Sequence, residues 1–246
     1  MSNWTTGTTK LGIVGGMGSW ASSYFWSEII RKTEVEKDQD YIDAVILNHA
    51  SIPDRTAAQL GGQSEKTEFI AALENDIKLL IEMGCSKIAI PCNTSHLFFS
   101  QLTNQYHDVL LNMITETIDR VESVLSSESR VGILATRGTV NGGLYQAELT
   151  SRGYTPIVPS SADQETIMNI IYQQIKADKP VNFAEFHRII QALQAGGAER
   201  IILGCTELSL FRDDENLGES RSVFVDALDC LVDASITSVG KTLKNL

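Results

Sequence analysis

The sequence contains few cysteines and no long apolar run, and these shortages exclude several kinds of protein. The four cysteines form no C-x-x-C pair, so we predict neither a zinc ribbon nor a thioredoxin-type site. No apolar stretch approaches the roughly 18–20 residues that cross a membrane. Residues 1–10 also lack the apolar segment of a secretory signal. We therefore expect a cytoplasmic protein with free, reduced thiols.

Lysine and arginine are scarce relative to aspartate and glutamate. The chain has 20 basic and 31 acidic side chains, which gives a net charge of −11. A surface this acidic repels phosphate backbones and anionic lipids, so we expect neither nucleic acid nor a membrane as a partner. An anionic substrate would need an arginine or a lysine placed beside it.

Short apolar segments alternate with longer amphipathic segments, which predicts an α/β fold with parallel sheets flanked by helices. The predicted strands lie at residues 10–14, 42–48, 87–90, 130–134, 155–158, 200–203 and 222–225, with a less certain one at 109–111. The predicted helices lie at residues 20–37, 65–83, 94–104, 139–151, 162–176, 183–195 and 227–244. We interpret residues 49–64 as a long loop because they are rich in turn formers.

Two segments of the first half have counterparts in the second half. Residues 10–18 (KLGIVGGMG) match residues 130–138 (RVGILATRG), and residues 82–92 (EMGCSKIAIPC) match residues 195–205 (AGGAERIILGC). In the second pair a helix ends at glycine, a basic residue opens a strand, and a cysteine follows the strand. Two matches in the same order predict two similar lobes, each with one cysteine in the same place.

Cys92 and Cys205 both follow the carboxyl end of a predicted strand, where open α/β sheets bind their ligands. If the lobes face each other about a pseudo-two-fold axis, the two thiols lie on opposite walls of one cleft. Such a pair could remove a proton from one face of a carbon and deliver one to the other face, which is racemisation or epimerisation. This chemistry needs one thiolate and one thiol, each with a pKa near the working pH.

The residues after each cysteine favour such a role. Asn93 and Thr94 follow Cys92, Thr206 follows Cys205, and these are residue types that cap helices. A helix N-terminus favours the thiolate, and its N–H groups and hydroxyls can hold a substrate carboxylate. The alternative is that a free cysteine is a small buried apolar residue. We give that interpretation to the other two cysteines, Cys85 and Cys230.

Six motifs, spread in order over nearly the whole chain, resemble the aspartate/glutamate racemase family, and within it the PLP-independent aspartate racemases. They are GIVGGMG at residues 12–18, IPDRT at 52–56, PCNTSH at 91–96, ATRGT at 135–139, IYQQIK at 171–176 and GCTEL at 204–208. The two cysteine motifs together are specific to this family, whereas the glycine loop alone would not be.

The resemblance implies two α/β lobes with the active site in the cleft between them, no metal and no PLP, and a homodimer that acts on an acidic amino acid. It also implies that the chain crosses between the lobes twice, so we assign residues 1–108 and 218–246 to the first lobe and 109–217 to the second. By the same resemblance, Cys92 and Cys205 are the acid/base thiols. The substrate-binding residues that it implies are Asn93, Thr94 and Thr206 for the α-carboxylate and ammonium, Arg55 and Lys176 for the side-chain carboxylate, and Thr139 beside them.

Two other patterns have simpler interpretations. The turn Gly15-Gly16-Met17-Gly18 lacks the full G-x-G-x-x-G pattern and no Walker lysine follows it, so we interpret it as a strand-to-helix turn that lines the cleft with Met17. Cys92 and His96 form C-x-x-x-H, but no cluster of further ligands accompanies them. We therefore predict no metal site and interpret His96 as a hydrogen-bonding residue near Cys92.

From the residues and the resemblance together we predict a cofactor-independent racemase that acts on aspartate, with glutamate as a further candidate substrate, by a two-base mechanism of the two thiols. Two alternatives stay open. One is another cysteine-dependent isomerase or decarboxylase of the same superfamily. The other is a two-lobed protein that binds an amino acid without turnover, which would leave the Cα proton in place.

Overall fold

The computed structural model describes residues 10–102, 106–212 and 214–245, and it contains two parallel β-sheets flanked by helices. This confirms the predicted α/β class. The chain divides into two compact units. The first comprises the residues up to Met113 together with those from Asp229 onward, and the second comprises Ile114–Leu228. None of the helices in these described ranges has the length and apolarity needed to cross a membrane.

The first unit has a three-stranded parallel sheet in the order β2-β1-β3. Its strands are β1 (Lys10–Gly15), β2 (Ala44–Asn48) and β3 (Cys85–Ala89). Its helices are α1 (Ser19–Lys32), α2 (Arg55–Leu60) and α3 (Gln63–Glu82), with 3₁₀ segments at Asp38–Asp40 and Asn93–Gln101. Every residue of β1 is buried because this strand lies in the middle of the sheet. The buried face of α3 carries Phe69, Leu73, Ile77 and Leu80, spaced for one side of a helix.

The second unit has a four-stranded parallel sheet in the order β5-β4-β6-β7. Its strands are β4 (Arg130–Ala135), β5 (Thr155–Ile157), β6 (Arg200–Gly204) and β7 (Phe224–Asp226). Its helices are α5 (Arg137–Gly142), α6 (Leu144–Ser151), α7 (Ser161–Asn169), α8 (Phe183–Ala195) and α9 (Thr206–Ser209), with a π-helix at Ile170–Ile175 and 3₁₀ turns within Glu215–Val223. The first three strands of each unit occur in the same order, as a duplicated lobe requires.

Two helices contain the points at which the chain passes from one unit to the other. They are α4 (Met113–Val124) and α10 (Ala227–Ser238). In the first unit, Lys32 of α1 forms ion pairs with Asp229 and Asp233 of α10, at 2.6 and 2.8 Å. The end of the chain is thereby attached to the first unit.

The structure differs from the sequence-based division at the second crossing. We had placed residues 218–246 in the first lobe, but β7 is hydrogen-bonded in parallel to β6, with Phe224 opposite Ile201. Residues 218–228 therefore belong to the second unit. At the first crossing the unit ends at Met113 rather than at residue 108.

Several predicted elements also differ in their bounds or type. The predicted helix 139–151 is two helices, because Gly143 adopts a left-handed φ of 69° between α5 and α6. The predicted loop 49–64 contains α2, whose first turn is capped by the Asp54 side chain accepting from the Ala57 N–H. The predicted helix 94–104 is the 3₁₀ segment Asn93–Gln101, and residues 103–105 lie outside the described residues. The predicted strand 109–111 is a single bridge between Leu110 and Ile88.

Candidate active site

Three predicted site residues of the first unit follow the carboxyl ends of its three strands. Met17 follows β1, Arg55 follows β2 and Cys92 follows β3. Because the strands are parallel and adjacent, these ends lie at one edge of the sheet. Arg55 Nη2 donates a hydrogen bond to the Met17 carbonyl at 3.2 Å. The Ser95 hydroxyl lies 3.3 Å from the Met17 sulfur, so the turn after β1 also contacts the segment after Cys92.

The glycine turn after β1 is held by contacts within the protein. Gly16 has a left-handed φ of 93°, and a Cβ at this position would lie 2.4 Å from the carbonyl carbon of His49. Its N–H donates to the Ser22 hydroxyl at 3.0 Å, and that hydroxyl donates to the Gly18 carbonyl at 2.8 Å. The turn leads directly into α1 at Ser19. Its hydrogen bonds therefore fit a strand-to-helix turn rather than a phosphate cradle.

Cys92 is buried at the start of the 3₁₀ segment, with 6% of its surface exposed. Asn93 and Thr94, the two residues that follow it, are also buried. The 3₁₀ segment is anchored on α3 by Phe98, whose ring centroid lies 4.8 Å from that of Phe69. Cys92 belongs to the apolar core cluster of the first unit, which shields its thiol from solvent.

His96 holds the backbone around Cys92. The Met113 N–H donates to His96 Nε2 at 3.1 Å, and His96 Nδ1 lies 3.0 Å from the Cys92 carbonyl oxygen. Because Nε2 accepts, the ring proton is on Nδ1 and is donated to that carbonyl. Burial lowers the pKa of His96 to about 4, so the ring is neutral at ordinary pH. His96 is therefore a hydrogen-bonding residue as predicted, and its partner is the carbonyl of Cys92 rather than the thiol.

In the second unit, Cys205 lies directly after β6 and only 4% of its surface is exposed. Its thiol donates a hydrogen bond to Glu207 Oε2 at 3.1 Å. The Thr206 hydroxyl donates to the same oxygen at 3.3 Å. Lys176 Nζ lies 2.6 Å from the other carboxylate oxygen, Glu207 Oε1. The structure thus brings Lys176, Cys205 and Thr206 together around one buried carboxylate.

The backbone N–H of Glu207 favours the Cys205 thiolate, as expected of the backbone after each cysteine, but other contributions outweigh it. Burial raises the pKa of this thiol well above its ordinary value, and the Glu207 carboxylate raises it further, while Lys176 lowers it. Glu207 itself is almost completely buried, which raises its pKa, but the Lys176 ammonium more than compensates and the pKa is lowered overall. The unliganded second unit therefore favours a protonated Cys205 beside an ionised Glu207.

The positions of Cys205 and Lys176 have local causes. A Cβ at Gly204 would lie 2.8 Å from the Tyr145 ring, so the strand end before Cys205 packs directly on α6. Lys176 follows the π-helix, and its N–H bonds to the Ile171 carbonyl five residues earlier. Such π-turns occur frequently at functional sites, where they change the direction of side chains.

Thr139 lies on the first turn of α5, after the end of β4. It is fully buried, and its hydroxyl lies 3.2 Å from the Thr136 hydroxyl that caps this helix. In the repeat that matches residues 10–18 to residues 130–138, Thr139 corresponds to Ser19, the first residue of α1.

Glu207 is the residue that sequence reasoning missed. It was quoted within the GCTEL motif, yet no role was given to it. The signal for it is a carboxylate two residues after a cysteine, in a segment with apolar neighbours, which indicates that the carboxylate is buried. A buried carboxylate needs a cation and hydrogen-bond donors. Within the described ranges, no three His, Cys, Asp or Glu side chains are grouped so that they could hold a metal ion.

Comparisons with known proteins agree on one family. A family model described as Asp/Glu/Hydantoin racemase matches residues 14–234 of this chain. The aspartate racemase of Picrophilus torridus has a similar structure, with a TM-score of 0.80, 29% identity and 96% of each chain covered. The broad specificity amino-acid racemase RacX of Bacillus subtilis is 24% identical over 236 residues, which cover 93% of this chain and 97% of that relative.

A sequence match to one glutamate racemase is shorter. The glutamate racemase of Corynebacterium glutamicum is 31% identical over 134 residues, which are 53% of this chain and 47% of that protein. The chain thus matches about half the length of this relative.

Proposed function

The chain belongs to the Asp/Glu/hydantoin racemase family, and we propose that it interconverts L- and D-aspartate, with glutamate as a further substrate, by a two-base mechanism without PLP. The choice of aspartate is supported by the full-length similarity to an aspartate racemase at 29% identity. The sequence match to the glutamate racemase of Corynebacterium glutamicum covers about half of that protein. Activity on several amino acids, as the name of the Bacillus subtilis relative states for that protein, is the broader alternative.

The observation that carries the proposal is the equivalent placement of two buried free thiols. Cys92 follows β3 and Cys205 follows β6, and these strands occupy the same place in the order of their sheets. A helical segment follows each thiol directly, and it begins with polar residues. A structural cysteine would need no such equivalence, whereas an acid and a base that exchange roles do.

In the proposed reaction one thiolate removes the α-proton of the bound amino acid and becomes a thiol. The electron pair of the C–H bond moves into the carboxylate, which becomes enediolate-like. The other thiol then donates its proton to the opposite face of the α-carbon and becomes a thiolate. Exposures of 6% and 4% for Cys92 and Cys205 mean that little water competes for these protons.

We propose that the substrate is held by residues on both units. Asn93, Thr94 and Thr206 bind the α-carboxylate and the ammonium, Met17 and Thr139 line the site, and Arg55 and Lys176 bind the side-chain carboxylate. Two cations of this kind are needed because the net charge of −11 repels a dicarboxylate at long range. The Lys176–Glu207 ion pair supports the assignment, since it places a lysine beside Cys205.

The test is proton NMR of the purified protein with L-aspartate, and separately with L-glutamate, in D₂O without added PLP, followed by chiral analysis. We expect the Cα proton signal to disappear as the D-enantiomer forms. Binding with the Cα proton retained would instead indicate an amino-acid-binding protein. Loss of CO₂ from a malonate-like substrate would indicate a decarboxylase.

We also propose that the chain forms a homodimer and acts in the cytoplasm. Light scattering on the purified protein tests the first point, because a dimer has twice the chain mass of 27.0 kDa. Fractionation of cells that express the protein tests the second.

A further inference from the structure

Glu207 contacts both Cys205, the proposed acid/base thiol of the second unit, and Lys176, the proposed substrate-binding lysine. Its Oε2 atom accepts the Cys205 S–H at 3.1 Å, and its Oε1 atom pairs with Lys176 Nζ at 2.6 Å. The carboxylate side chain is only 7% exposed, whereas the Lys176 side chain is 26% exposed. The carboxylate therefore lies on the inner side of this trio, against the thiol, and the ammonium lies towards solvent.

We propose that Glu207 is a positioning residue that keeps Cys205 in its thiol form in the unliganded protein, by accepting the S–H hydrogen bond and by neutralising Lys176. An ionised carboxylate can accept a hydrogen bond but cannot donate one, so the proton between the two groups belongs to sulfur. A thiolate at this position would place two negative charges about 3 Å apart in a buried site, which is unfavourable. Glu207 therefore favours the protonated form of Cys205.

The other charged groups near this trio do not supply the same effect. Lys176 faces the site from the segment after the π-helix, and its positive charge favours the thiolate. Asp226, at the end of β7, is engaged by Arg212 at 3.2 Å and by the Ser209 hydroxyl at 2.6 Å. Glu207 is consequently the charge that acts with burial to favour the thiol form of Cys205, and Lys176 opposes both.

A consequence for catalysis rests on the proposed racemisation. The two-base scheme requires two reactive forms of the enzyme, and holding Cys205 as the acid favours the form in which Cys92 is the base over the form in which Cys205 is the base. The enantiomer whose α-proton faces Cys92 uses this favoured form. The other enantiomer needs the form in which Cys205 has lost its proton and Cys92 has gained one. Glu207 thus sets a difference in KM between the two enantiomers.

The experiment is a titration of Cys205 that needs no substrate. The ultraviolet absorbance of thiolate is followed as the pH is raised, and the signal of a Cys205→Ser protein is subtracted to isolate this thiol. Glu207→Gln keeps the shape of the side chain and removes its charge. We expect it to move the thiolate midpoint of Cys205 down by about one pH unit or more. A midpoint equal to or above that of the wild type would overturn the proposal.

Two further variants keep the test decisive if Glu207→Gln folds poorly. Glu207→Asp retains a carboxylate and should stay closer to the wild-type midpoint than the Gln variant. Lys176→Met removes the opposing cation, so thiolate should appear at a higher pH than in the wild type, and a lower pH would contradict the proposal. Glu68→Gln, which removes an exposed carboxylate on α3, is the matched control and should change nothing.

A kinetic measurement checks the catalytic consequence. The two enantiomers are equally stable in water, so their kcat/KM values must be equal. A preference of the free enzyme for one reactive form therefore appears as unequal KM values for the two enantiomers, with kcat values that differ in the same proportion. We expect Glu207→Gln to shift the ratio of the two KM values, and an unchanged ratio would remove this consequence. If the protein racemises nothing, the proposed function fails, while the Cys205 titration still decides the role of Glu207.

Discussion

The Nε2 atom of His96 accepts a hydrogen bond from the backbone N–H of Met113, the first residue of α4, at 3.1 Å. The opposite nitrogen of the same ring bonds the carbonyl of Cys92 at 3.0 Å. One neutral imidazole therefore connects the backbone of the first candidate thiol to the start of the helix in which the chain leaves the first unit. The ring also stacks on Phe99, with centroids 4.1 Å apart, and this fixes its plane.

The buried histidine predicts a loss of stability in mild acid. The pKa of His96 is about 4 in the folded protein, below its ordinary value of 6.5, so the unfolded chain binds more protons between these pH values. The stability that His96 contributes is complete above about pH 6.5 and is lost as the pH falls towards 4, by up to about 3 kcal/mol. Urea unfolding between pH 4 and pH 8 measures this slope.

The matched variants for that experiment are His96→Asn and His107→Asn. Loss of His96 should flatten the dependence of the unfolding free energy on pH and lower the stability at neutral pH, because the Met113 N–H loses its acceptor. His107 is exposed, and its replacement should leave the curve unchanged. An equal slope in the wild type and in the His96→Asn protein would contradict the assignment.

The two-base scheme predicts opposite residual activities for the two cysteine variants. Cys92→Ser and Cys205→Ser should each lower racemisation by about 10²–10⁴-fold or more, since each removes one acid/base group. Any remaining exchange of the Cα proton with D₂O should be confined to one enantiomer, and the two variants should act on opposite enantiomers. NMR of L- and D-aspartate with each variant measures both quantities.

Cys85→Ala is the control for the thiol experiment. This cysteine is buried at the start of β3, and burial raises its pKa, as expected for a thiol that stays protonated. Its replacement should cost some stability and leave racemisation intact. Racemisation at close to the wild-type rate in either of the two site variants would refute the two-base mechanism.

The α/β class and the duplication were predictable because their signals are local and repeated. The strands, and a glycine before β3 and before β6, recur in both halves of the sequence, and the structure places β1 beside β3 and β4 beside β6 in the same way. The helix α4 was not predicted, although Ile114, Ile118 and Val121 on it follow a helical spacing. That pattern was overlooked between two predicted strands.

The protonation of Cys205 could not be predicted, because it depends on which charges pack against the thiol. A cysteine before a helix favours the thiolate in isolation, but α9 has only four residues, Thr206–Ser209. Burial and one carboxylate then decide the outcome. Likewise, the placement of β7 depends on its hydrogen bonds to β6, and neither the length nor the composition of residues 222–225 reveals them.

A packing prediction concerns the glycine before Cys205. A Cβ added at Gly204 would lie 2.8 Å from the Tyr145 ring and 3.1 Å from the Ala135 Cβ. Gly204→Ala should therefore destabilise the protein by about 1–3 kcal/mol and displace Cys205, which lowers kcat. Gly62→Ala is the control, since its Cβ would meet only the flexible end of the Glu65 side chain. Urea unfolding measures the stability of each variant. Equal free energies of unfolding for Gly204→Ala and the wild type would contradict the prediction.

The last prediction concerns recognition of the side-chain carboxylate. Arg55→Gln and Lys176→Met each remove one proposed cation, and a hydrogen bond to a charged group contributes about 1.5–3 kcal/mol, so kcat/KM for aspartate should fall by about 10–100-fold. Asparagine has no side-chain charge, so its Cα exchange should be slower than that of aspartate in the wild type. In these variants its rate should fall much less than the rate for aspartate. Lys179→Gln, an exposed lysine three residues after Lys176, should alter neither substrate. Rates of Cα proton exchange in D₂O, measured for aspartate and for asparagine with each variant, give the loss of activity on each substrate. An equal loss for aspartate and asparagine would show that these cations support the fold of the site rather than bind the side chain.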